Sequence, residues 1–337
     1  MSSLPKHILV IRLSAMGDVA MIVPVLGALT AGYPDLKITV LTKAFFTPFF
    51  RHLPNVVFFE ADVKGKHKGL FGLIKLSKEL KTQEIDAIAD LHNVLRSNVL
   101  KRLLPRPFVQ INKGREDKKA LVQGNFKPLK TTIQRYVEVF ETLGFKIDLP
   151  RYNAPMSQPL SEMLLQLLGD RKKPMIGIAP FAAHKGKMYP LEKMKEVITQ
   201  LSKDYKVLLF GGGIEEIAGL KRLEQIGDTI SIAGKLTLDE ELDLITNLKL
   251  MLSMDSGNAH IAAMLGIPVV SIWGVTHPYA GFAPFNQPEA NSLLADRVQF
   301  PKIPTSIYGN KYPEGYEHAA GSISPKAIVD KVKEVLN

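Results

Sequence analysis

The sequence has 337 residues, which is long enough for two domains. Its hydrophobic content of 46% excludes an intrinsically disordered chain. It contains no cysteine, which excludes disulfides, thiolate metal ligands and cysteine nucleophiles. The net charge is +10, and all of the excess lies in residues 1–150, which hold 23 of the 43 Lys/Arg but only 13 of the 33 Asp/Glu.

The start of the chain predicts neither a secretory signal nor a membrane anchor. Its first apolar run is short and is soon followed by Arg12. Residues 19–34 are uncharged, but they include Pro24 and are fewer than the roughly 20 apolar residues of a spanning helix. We therefore expect no transmembrane segment and a cytoplasmic location.

Short runs rich in Ile, Val and Leu predict strands along the whole chain. They lie at residues 7–12, 37–42, 87–91, 175–180, 206–211, 229–234, 248–254 and 268–273. Segments with helical spacing, such as 191–204, separate most of them, which predicts parallel sheets covered on both faces. Four prolines within 149–174 indicate a domain boundary near residue 156. We predict two doubly wound α/β domains, residues 1–156 and 157–337.

Four basic clusters account for much of the charge of the first half. They lie at residues 64–69, 101–107, 113–119 and 127–130. Each is either a solubilising surface charge or part of a site for an anionic partner. Their confinement to one half favours a phosphorylated substrate or a membrane surface. Because the chain lacks RNA-binding aromatic motifs, zinc fingers and recognition-helix patterns, we expect no nucleic acid partner.

Two loops that follow predicted strands carry charged residues where a ligand could bind. In open parallel sheets, ligands bind beyond the carboxyl ends of the strands. Asp18 lies where a helix begins, and is either an N-cap or a carboxylate that acts as a general base. Lys185 and Lys187 lie before Pro190 and a predicted helix, and a lysine there either neutralises a diphosphate leaving group or is a solvated loop charge.

A third loop, "MDSGNAH", has more polar groups than a helix start needs. Ser256 is a natural N-cap, and taken alone it would be nothing more. Gly257 leaves room for a ligand beside free backbone N–H groups, which attract phosphate. His260 should point back toward the same strand end. No packing argument requires Asp255, Gly257 and His260 together, so the group indicates a ligand site.

Two other kinds of site are not predicted. The glycines at 211–213 lack the G-x-G-x-x-G spacing of a dinucleotide site, so a dehydrogenase is disfavoured. No H-E-x-x-H pair is present, and no D-x-D pair closes a strand, so we expect no metal and no other cofactor.

The motifs together carry a family resemblance. "ILVIRLSAMGDVAMIVPVLGAL", "DLHNVLRSNVLKRLL", "KMYP", "LLFGGG", "AGKLTLDE" and "MDSGNAHIAAMLGIPVVSIWGVTHP" occur in the order and spacing of the ADP-heptose:lipopolysaccharide heptosyltransferases, glycosyltransferase family nine. The resemblance implies a GT-B fold, in which two Rossmann-like domains face a central cleft. The first domain would bind the acceptor and the second the nucleotide sugar.

The resemblance also implies roles for single residues. Asp18 is similar to the base that deprotonates the acceptor hydroxyl, and Lys187 to the lysine that stabilises the departing nucleoside diphosphate. Arg96 lies at the position that, by the resemblance, would bind an anionic glycolipid acceptor. The residues that would bind the nucleotide sugar are Asp255, Ser256, Gly257 and His260.

The implied activity is inverting, metal-independent transfer of heptose from ADP-heptose to a lipopolysaccharide core or another lipid-linked acceptor. Such an enzyme is expected on the inner face of the inner membrane, bound peripherally. Two alternatives stay open at this point: a GT-B glycosyltransferase that uses a different nucleotide sugar, and a protein that binds sugar nucleotides without catalysis.

Three features depart from the family pattern. Ala182 and Ala183 replace hydroxyl residues that are frequent in relatives, so two phosphate hydrogen bonds are either absent or made by His184 or Lys185. His277 stands where the family more often has aspartate. The segment 299–321 is idiosyncratic, and it is a candidate for shaping donor or acceptor preference.

Overall fold

The structure, a computed structural model, describes residues 4–170 and 172–337. Parallel strands alternate with helices through both described ranges, as predicted for a doubly wound α/β protein. None of the helices in these ranges has the length and apolar content that crossing a bilayer requires.

The described residues form two compact units. The first contains the described part of Met1–Lys113 together with Thr132–Ala154, and the second contains Gly114–Thr131 together with Pro155–Asn337. Residues 114–131 precede the predicted boundary at 156 and nevertheless belong with the second unit. The chain therefore passes from one unit to the other three times rather than once.

Each unit is built on one sheet in which all neighbouring strands are parallel. The strands of the first sheet are β1 (His7–Ile11), β2 (Lys37–Thr42), β3 (Val56–Glu60), β4 (Ala87–Asp90) and β5 (Phe108–Gln110), in the order β3-β2-β1-β4-β5. Those of the second are β6 (Met175–Ala179), β7 (Lys206–Leu209), β8 (Thr229–Ser231), β9 (Met251–Met254), β10 (Val269–Trp273) and β11 (Ser292–Leu294), in the order β11-β10-β9-β6-β7-β8.

Twelve α-helices alternate with these strands in the described residues. They are α1 (Met16–Ala20), α2 (Val23–Gly32), α3 (Gly69–Lys81), α4 (Leu95–Leu103), α5 (Arg115–Val122), α6 (Thr132–Thr142), α7 (Glu162–Leu168), α8 (Leu191–Leu201), α9 (Ile214–Leu223), α10 (Leu238–Ile245), α11 (Gly257–Met264) and α12 (Pro325–Leu336). The apolar spacing that predicted a helix over 191–204 is that of α8, whose Met194, Val197, Ile198 and Leu201 are buried.

All eight predicted strands are present, with ends shifted by a few residues. Three further strands, β3, β5 and β11, were not predicted. β5 and β11 have only three residues each, which is too short for a recognisable apolar pattern. β3 lies at an edge of its sheet, and its side chains are exposed or half-buried rather than uniformly buried.

The strand order fixes where a ligand is expected in each unit. In the first sheet, successive strands run outward from β1 through β3, and the chain then returns to β4 on the other side of β1. In the second sheet the corresponding return is from β8 to β9, beside β6. Ligands of open α/β sheets bind at the carboxyl ends of the strands at such a switch point. A ligand site is therefore expected beside the β1/β4 pair and beside the β6/β9 pair.

Candidate active site

The two switch points carry the residues predicted from the loops at strand ends. In the second unit, Asp255 directly follows β9 and Lys187 lies in the loop after β6, the neighbour of β9. In the first unit, Asp18 follows β1 and Arg96 follows its neighbour β4. Each switch point therefore has two of the predicted residues at the edge where ligands bind.

An ion pair joins Lys187 to Asp255. Lys187 Nζ lies 2.9 Å from Asp255 Oδ2, and the two side chains are 15% and 8% exposed. Thr276, which is buried just beyond β10, donates its hydroxyl proton to the same oxygen at 2.8 Å. Because an ammonium group has three N–H donors, Lys187 can hold Asp255 and a phosphate oxygen at the same time.

The segment 299–321 packs against the turn that carries Lys187. Gly309 has a φ of +77°, and a Cβ there would clash with the aliphatic stem of Lys187. A Cβ on Gly186 would lie 2.8 Å from the ring of Tyr312. This segment therefore forms one side of the Lys187 site, and its expected influence on donor or acceptor preference stays a prediction.

The start of α11 has no side-chain cap. Ser256 occupies the predicted N-cap position, but its hydroxyl lies 3.0 Å from that of Ser253 and makes no bond to a first-turn N–H. The first-turn N–H groups beside Gly257 are therefore available to an anion. His260 lies one turn further along and is buried. The orientation predicted for its ring stays a prediction.

Asp18 is the third residue of α1, and Ala15 occupies the N-cap position. The predicted placement of Asp18 at the N-cap is therefore wrong, because the turn after β1 is shorter than expected and the helix already begins at Met16 rather than after Asp18. The carboxylate instead reaches back, and its Oδ2 accepts a hydrogen bond of 3.2 Å from the Ala15 N–H.

Arg12 fixes the same carboxylate oxygen. Its guanidinium lies 2.5 Å from Asp18 Oδ2, and a second guanidinium nitrogen donates to the Leu91 carbonyl. The buried Tyr136 donates its hydroxyl proton to the Asp18 carbonyl at 3.2 Å. Asp18 Oδ1 accepts no hydrogen bond from any residue in 4–170 or 172–337, and the side chain is 25% exposed. One oxygen is thus held in place while the other can accept a proton.

His92 supports the backbone that leads to Asp18. Burial, together with the positive charges of Arg12 and Lys113, lowers the pKa of His92 from 6.5 to about 4. The ring is therefore neutral at pH 7. Its Nδ1 accepts a long hydrogen bond of 3.4 Å from the Leu13 N–H, and its Nε2 lies 3.5 Å from the Ser14 hydroxyl.

Arg96 is exposed in the first turn of α4. Across the part of the chain that the structure describes, its side chain makes no hydrogen bond or ion pair. Its predicted contact with an anionic acceptor stays a prediction.

Residues 114–131 pack on the loop that contains His277. The ring of Phe126 lies edge-on to His277 with centroids 4.8 Å apart, and the guanidinium carbon of Arg297 lies 3.5 Å from the Phe126 centroid. Burial, followed by the charge of Arg297, lowers the pKa of His277 to about 4. His277 Nδ1 accepts a hydrogen bond of 3.1 Å from the Tyr279 N–H. This chain therefore places a neutral side chain where its family more often has aspartate.

The two alanines that depart from the family pattern lie in the loop after β6. Ala182 packs against the apolar core, and Ala183 is exposed. His184 and Lys185 are also exposed, and neither side chain bonds to any residue the structure describes. Whether either replaces a phosphate hydrogen bond stays a prediction.

The sequence pattern of glycosyltransferase family 9 (heptosyltransferase) matches residues 73–304, well over half of the chain. The chain belongs to this family. The lipooligosaccharide heptosyltransferase 2 of Haemophilus influenzae is 27% identical to it, in an alignment that covers 98% of this chain and 99% of the relative. The family resemblance inferred from the sequence motifs is confirmed, and this family 9 member is a glycosyltransferase.

Solved structures show the fold of this family 9 enzyme. A family 9 glycosyltransferase of Veillonella parvula matches it with a TM-score of 0.77 and 20% identity, over 98% of this chain and 97% of the other. The ADP-heptose lps heptosyltransferase II of E. coli matches with a TM-score of 0.69 and 22% identity, over 98% of both chains. The predicted GT-B fold class, with two doubly wound parallel-sheet units, is confirmed.

Arg12 and Thr276 were missed by the sequence analysis. Thr276 follows β10, which neighbours β9 in the sheet, so its position after a predicted strand was a usable signal. Arg12 ends the apolar run that forms β1, and nothing in the sequence indicates which carboxylate it pairs with.

Within 4–170 and 172–337, no three His, Asp or Glu side chains cluster in a way that could hold a metal ion. The expected independence from metal and other cofactors stays a prediction.

Proposed function

We propose that this family 9 enzyme transfers a heptosyl group from ADP-heptose to a lipopolysaccharide core or a similar lipid-linked acceptor, with inversion at the anomeric carbon. Its relatives support the transferred group and the acceptor, because they are named as lipooligosaccharide and lps heptosyltransferases. The name of the E. coli protein supports ADP-heptose as the donor. The observation that carries the proposal is the Lys187–Asp255 ion pair beside the uncapped start of α11.

In this proposal the second domain, predicted as residues 157–337, binds the donor. The first-turn N–H groups of α11 and the ammonium of Lys187 hold the diphosphate, and Asp255, Ser256 and His260 contact the sugar and phosphates. When the bond between the anomeric carbon and the phosphate oxygen breaks, negative charge develops on that oxygen. Lys187 stabilises this charge, since its amine keeps two N–H donors beyond the one directed at Asp255.

Asp18 is the proposed general base. Its Oδ1 takes the proton of the acceptor hydroxyl while the hydroxyl oxygen forms a bond to the anomeric carbon and the nucleoside diphosphate leaves. Arg12 and the Ala15 N–H hold the other carboxylate oxygen, so that Oδ1 faces the hydroxyl without reorientation. A single displacement of this kind inverts the anomeric configuration.

The first domain, predicted as residues 1–156, binds the acceptor in this proposal. The excess positive charge of residues 1–150 and the exposed, unpaired Arg96 suit an acceptor rich in carboxylates and phosphates. The enzyme is proposed to work in the cytoplasm, attached peripherally to the inner face of the inner membrane, where such a glycolipid is built.

A transfer assay with purified protein tests this proposal. We expect ADP-heptose and a heptose-acceptor lipopolysaccharide core to give a product heavier by one heptose in mass spectrometry, with inverted anomeric configuration by NMR. Thermal-shift measurements with ADP, GDP and UDP should show the largest stabilisation with ADP. Stabilisation by GDP or UDP instead would assign a different donor, and donor binding with no transfer to any core acceptor would contradict the proposed reaction.

A further inference from the structure

An exposed apolar pair lies directly after a run of lysines in the first unit. Phe71 is 86% exposed and Leu70 is 60% exposed, at the start of α3. Lys64, Lys66 and Lys68 precede them and are exposed. Large apolar side chains this exposed, adjacent to one another and to like charges, mark an interaction surface. These five residues are called the Phe71 surface below.

The loop that carries the lysines is held in one conformation. The carboxylate of Asp62 accepts hydrogen bonds from the N–H groups of Gly65 and Lys66, at 2.8 and 2.9 Å. His67 is fully buried, with its Nδ1 accepting from the Asp62 N–H at 3.1 Å and its Nε2 lying 3.2 Å from Glu79 Oε2. The Phe71 surface is therefore preformed, so that binding through it costs little loop ordering.

Close packing also joins this loop to α3. A Cβ on Gly72 would clash with the backbone of His67, so the loop lies directly on the first turn of the helix. Leu70 and Phe71, which precede Gly72 in that turn, are exposed to solvent.

The Phe71 surface lies at the functional edge of its sheet. It follows β3, and Asp18 follows β1, so both lie beyond the carboxyl ends of parallel strands of one sheet. Helix α4, which packs against α3, begins at the same edge with Leu95, 80% exposed, followed by the exposed Arg96. The edge that carries the proposed base therefore also carries the exposed apolar and basic side chains.

We propose that the Phe71 surface docks the enzyme on an anionic lipid bilayer. This rests on the proposed function, in which the acceptor is lipid-linked. Phe71 and Leu70 enter the boundary between head groups and acyl chains, while the lysines bind the anionic head groups. Residues 62–81 contain six lysines against Asp62 and Glu79, which suits an anionic partner.

The same charge argues against a second copy of this chain as the partner. Two copies that meet through the Phe71 surface would bring their lysines together, and like charges at an interface are unfavourable. An anionic bilayer offers both the opposite charge and an apolar layer. Docking there places the edge with Asp18 toward the membrane, where the head group of a lipid-linked acceptor lies.

Vesicle sedimentation tests this proposal without any sugar transfer. We expect the full-length protein to bind vesicles that contain about 30% phosphatidylglycerol, and to bind pure phosphatidylcholine vesicles at least about 10-fold more weakly. Phe71→Ser with Leu70→Ser, and separately Lys64→Glu with Lys68→Glu, should each lower binding to the anionic vesicles about 10-fold. Raising the salt concentration should weaken binding of the wild type.

Matched controls lie in the second unit. Val298→Ser changes a side chain that is 90% exposed, and Lys326→Glu changes a lysine side chain that is 80% exposed, so both should bind vesicles as the wild type does. Because all the substituted side chains are exposed, circular dichroism and melting temperatures should be unchanged. Equal binding to both vesicle types, or full binding by the Phe71 variant, would overturn the proposal.

Two further measurements separate the outcomes. Light scattering detects self-association, and a dimer that Phe71→Ser abolishes would replace the bilayer by a second copy as the partner. Transfer to a delipidated, water-soluble core should be unchanged in the Phe71 variant, while transfer to acceptor embedded in vesicles should fall. If the wild type binds anionic vesicles but transfers to neither acceptor, the proposed function fails and the docking surface stands.

Discussion

Lys187 and Asp255 follow neighbouring strands of the second sheet and meet in a 2.9 Å ion pair. The pair joins a cation suited to a diphosphate with the acidic end of the loop that opens α11. Two stretches of sequence 68 positions apart are thereby brought into one site, in which Lys187 and Thr276 both bond to Asp255.

Replacing Lys187 by methionine should slow transfer by about 10²-fold, because one preorganised charge-stabilising donor is lost. Initial rates at saturating donor measure the effect. Lys203→Met, an exposed lysine on the same unit, is the control and should keep the wild-type rate. A Lys187→Met enzyme of normal rate would show that Lys187 only balances the charge of Asp255.

Thr276 is expected to position Asp255 rather than to touch the substrate. Thr276→Val removes a buried hydrogen bond to a carboxylate, which is worth about 1.5 kcal/mol, so kcat should fall about 10-fold. Thr276→Ser keeps the hydroxyl and should restore kcat. If Val and Ser variants lose the same activity, the contribution of Thr276 is packing and not the hydrogen bond.

Asp18→Asn should leave donor binding nearly unchanged and lower turnover by about 10²-fold or more, since the amide cannot take the acceptor proton. Donor binding is measured by calorimetry and turnover by mass spectrometry of the product. Asp35→Asn, on an exposed carboxylate of the same unit, should have no effect. Turnover close to wild type would reduce Asp18 to a residue that satisfies the Ala15 N–H.

Transfer should survive chelation. If Lys187 and the start of α11 stabilise the negative charge of the leaving group, dialysis against EDTA should leave the rate within about 2-fold of the untreated enzyme. Loss of activity that Mg²⁺ restores would contradict this, and would assign the role of Lys187 to a metal-binding carboxylate.

Acid should destabilise the second unit through His277. The unfolded chain protonates this residue near pH 6.5 and the folded chain only near pH 4, so stability falls as pH falls between these values. Between pH 7 and pH 5 the loss is about 2 kcal/mol. His277→Gln should therefore show a smaller drop in melting temperature over that range than the wild type. His318→Gln, at an exposed histidine, should show the wild-type drop; equal drops in all three proteins would rule His277 out.

The sequence predicted those parts of the fold that local patterns specify. Continuously apolar runs gave the central strands, because a strand covered on both faces must be apolar throughout. β5 and β11 were missed because three residues carry no period, and they exist only through pairing with a longer neighbour. The position of residues 114–131 was missed for a similar reason, since it depends on contacts of Phe126 with distant residues.

In the candidate site, too, the features that local patterns specify were predicted and the contacts between distant residues were not. The loops after β1, β6 and β9 could be identified because polar residues interrupt apolar strands there. The pairing of Arg12 with Asp18, and of Thr276 with Asp255, depends on which strands are neighbours, and no pattern along the chain contains that information. The shift of Asp18 from the N-cap to the third helical position reflects a turn shorter than the sequence pattern indicated, with the helix beginning at Met16.

The three passages of the chain between its units bear on how such enzymes can be recombined. A hybrid that joined residues 1–156 of one homologue to the remainder of another would bring a foreign Phe126 against the Arg297 and His277 of the recipient. The mismatched contacts would lie inside the second unit, and not at the junction after residue 156. A hybrid that exchanges whole units between homologues therefore has to take residues 114–131 from the same parent as residues 155–337.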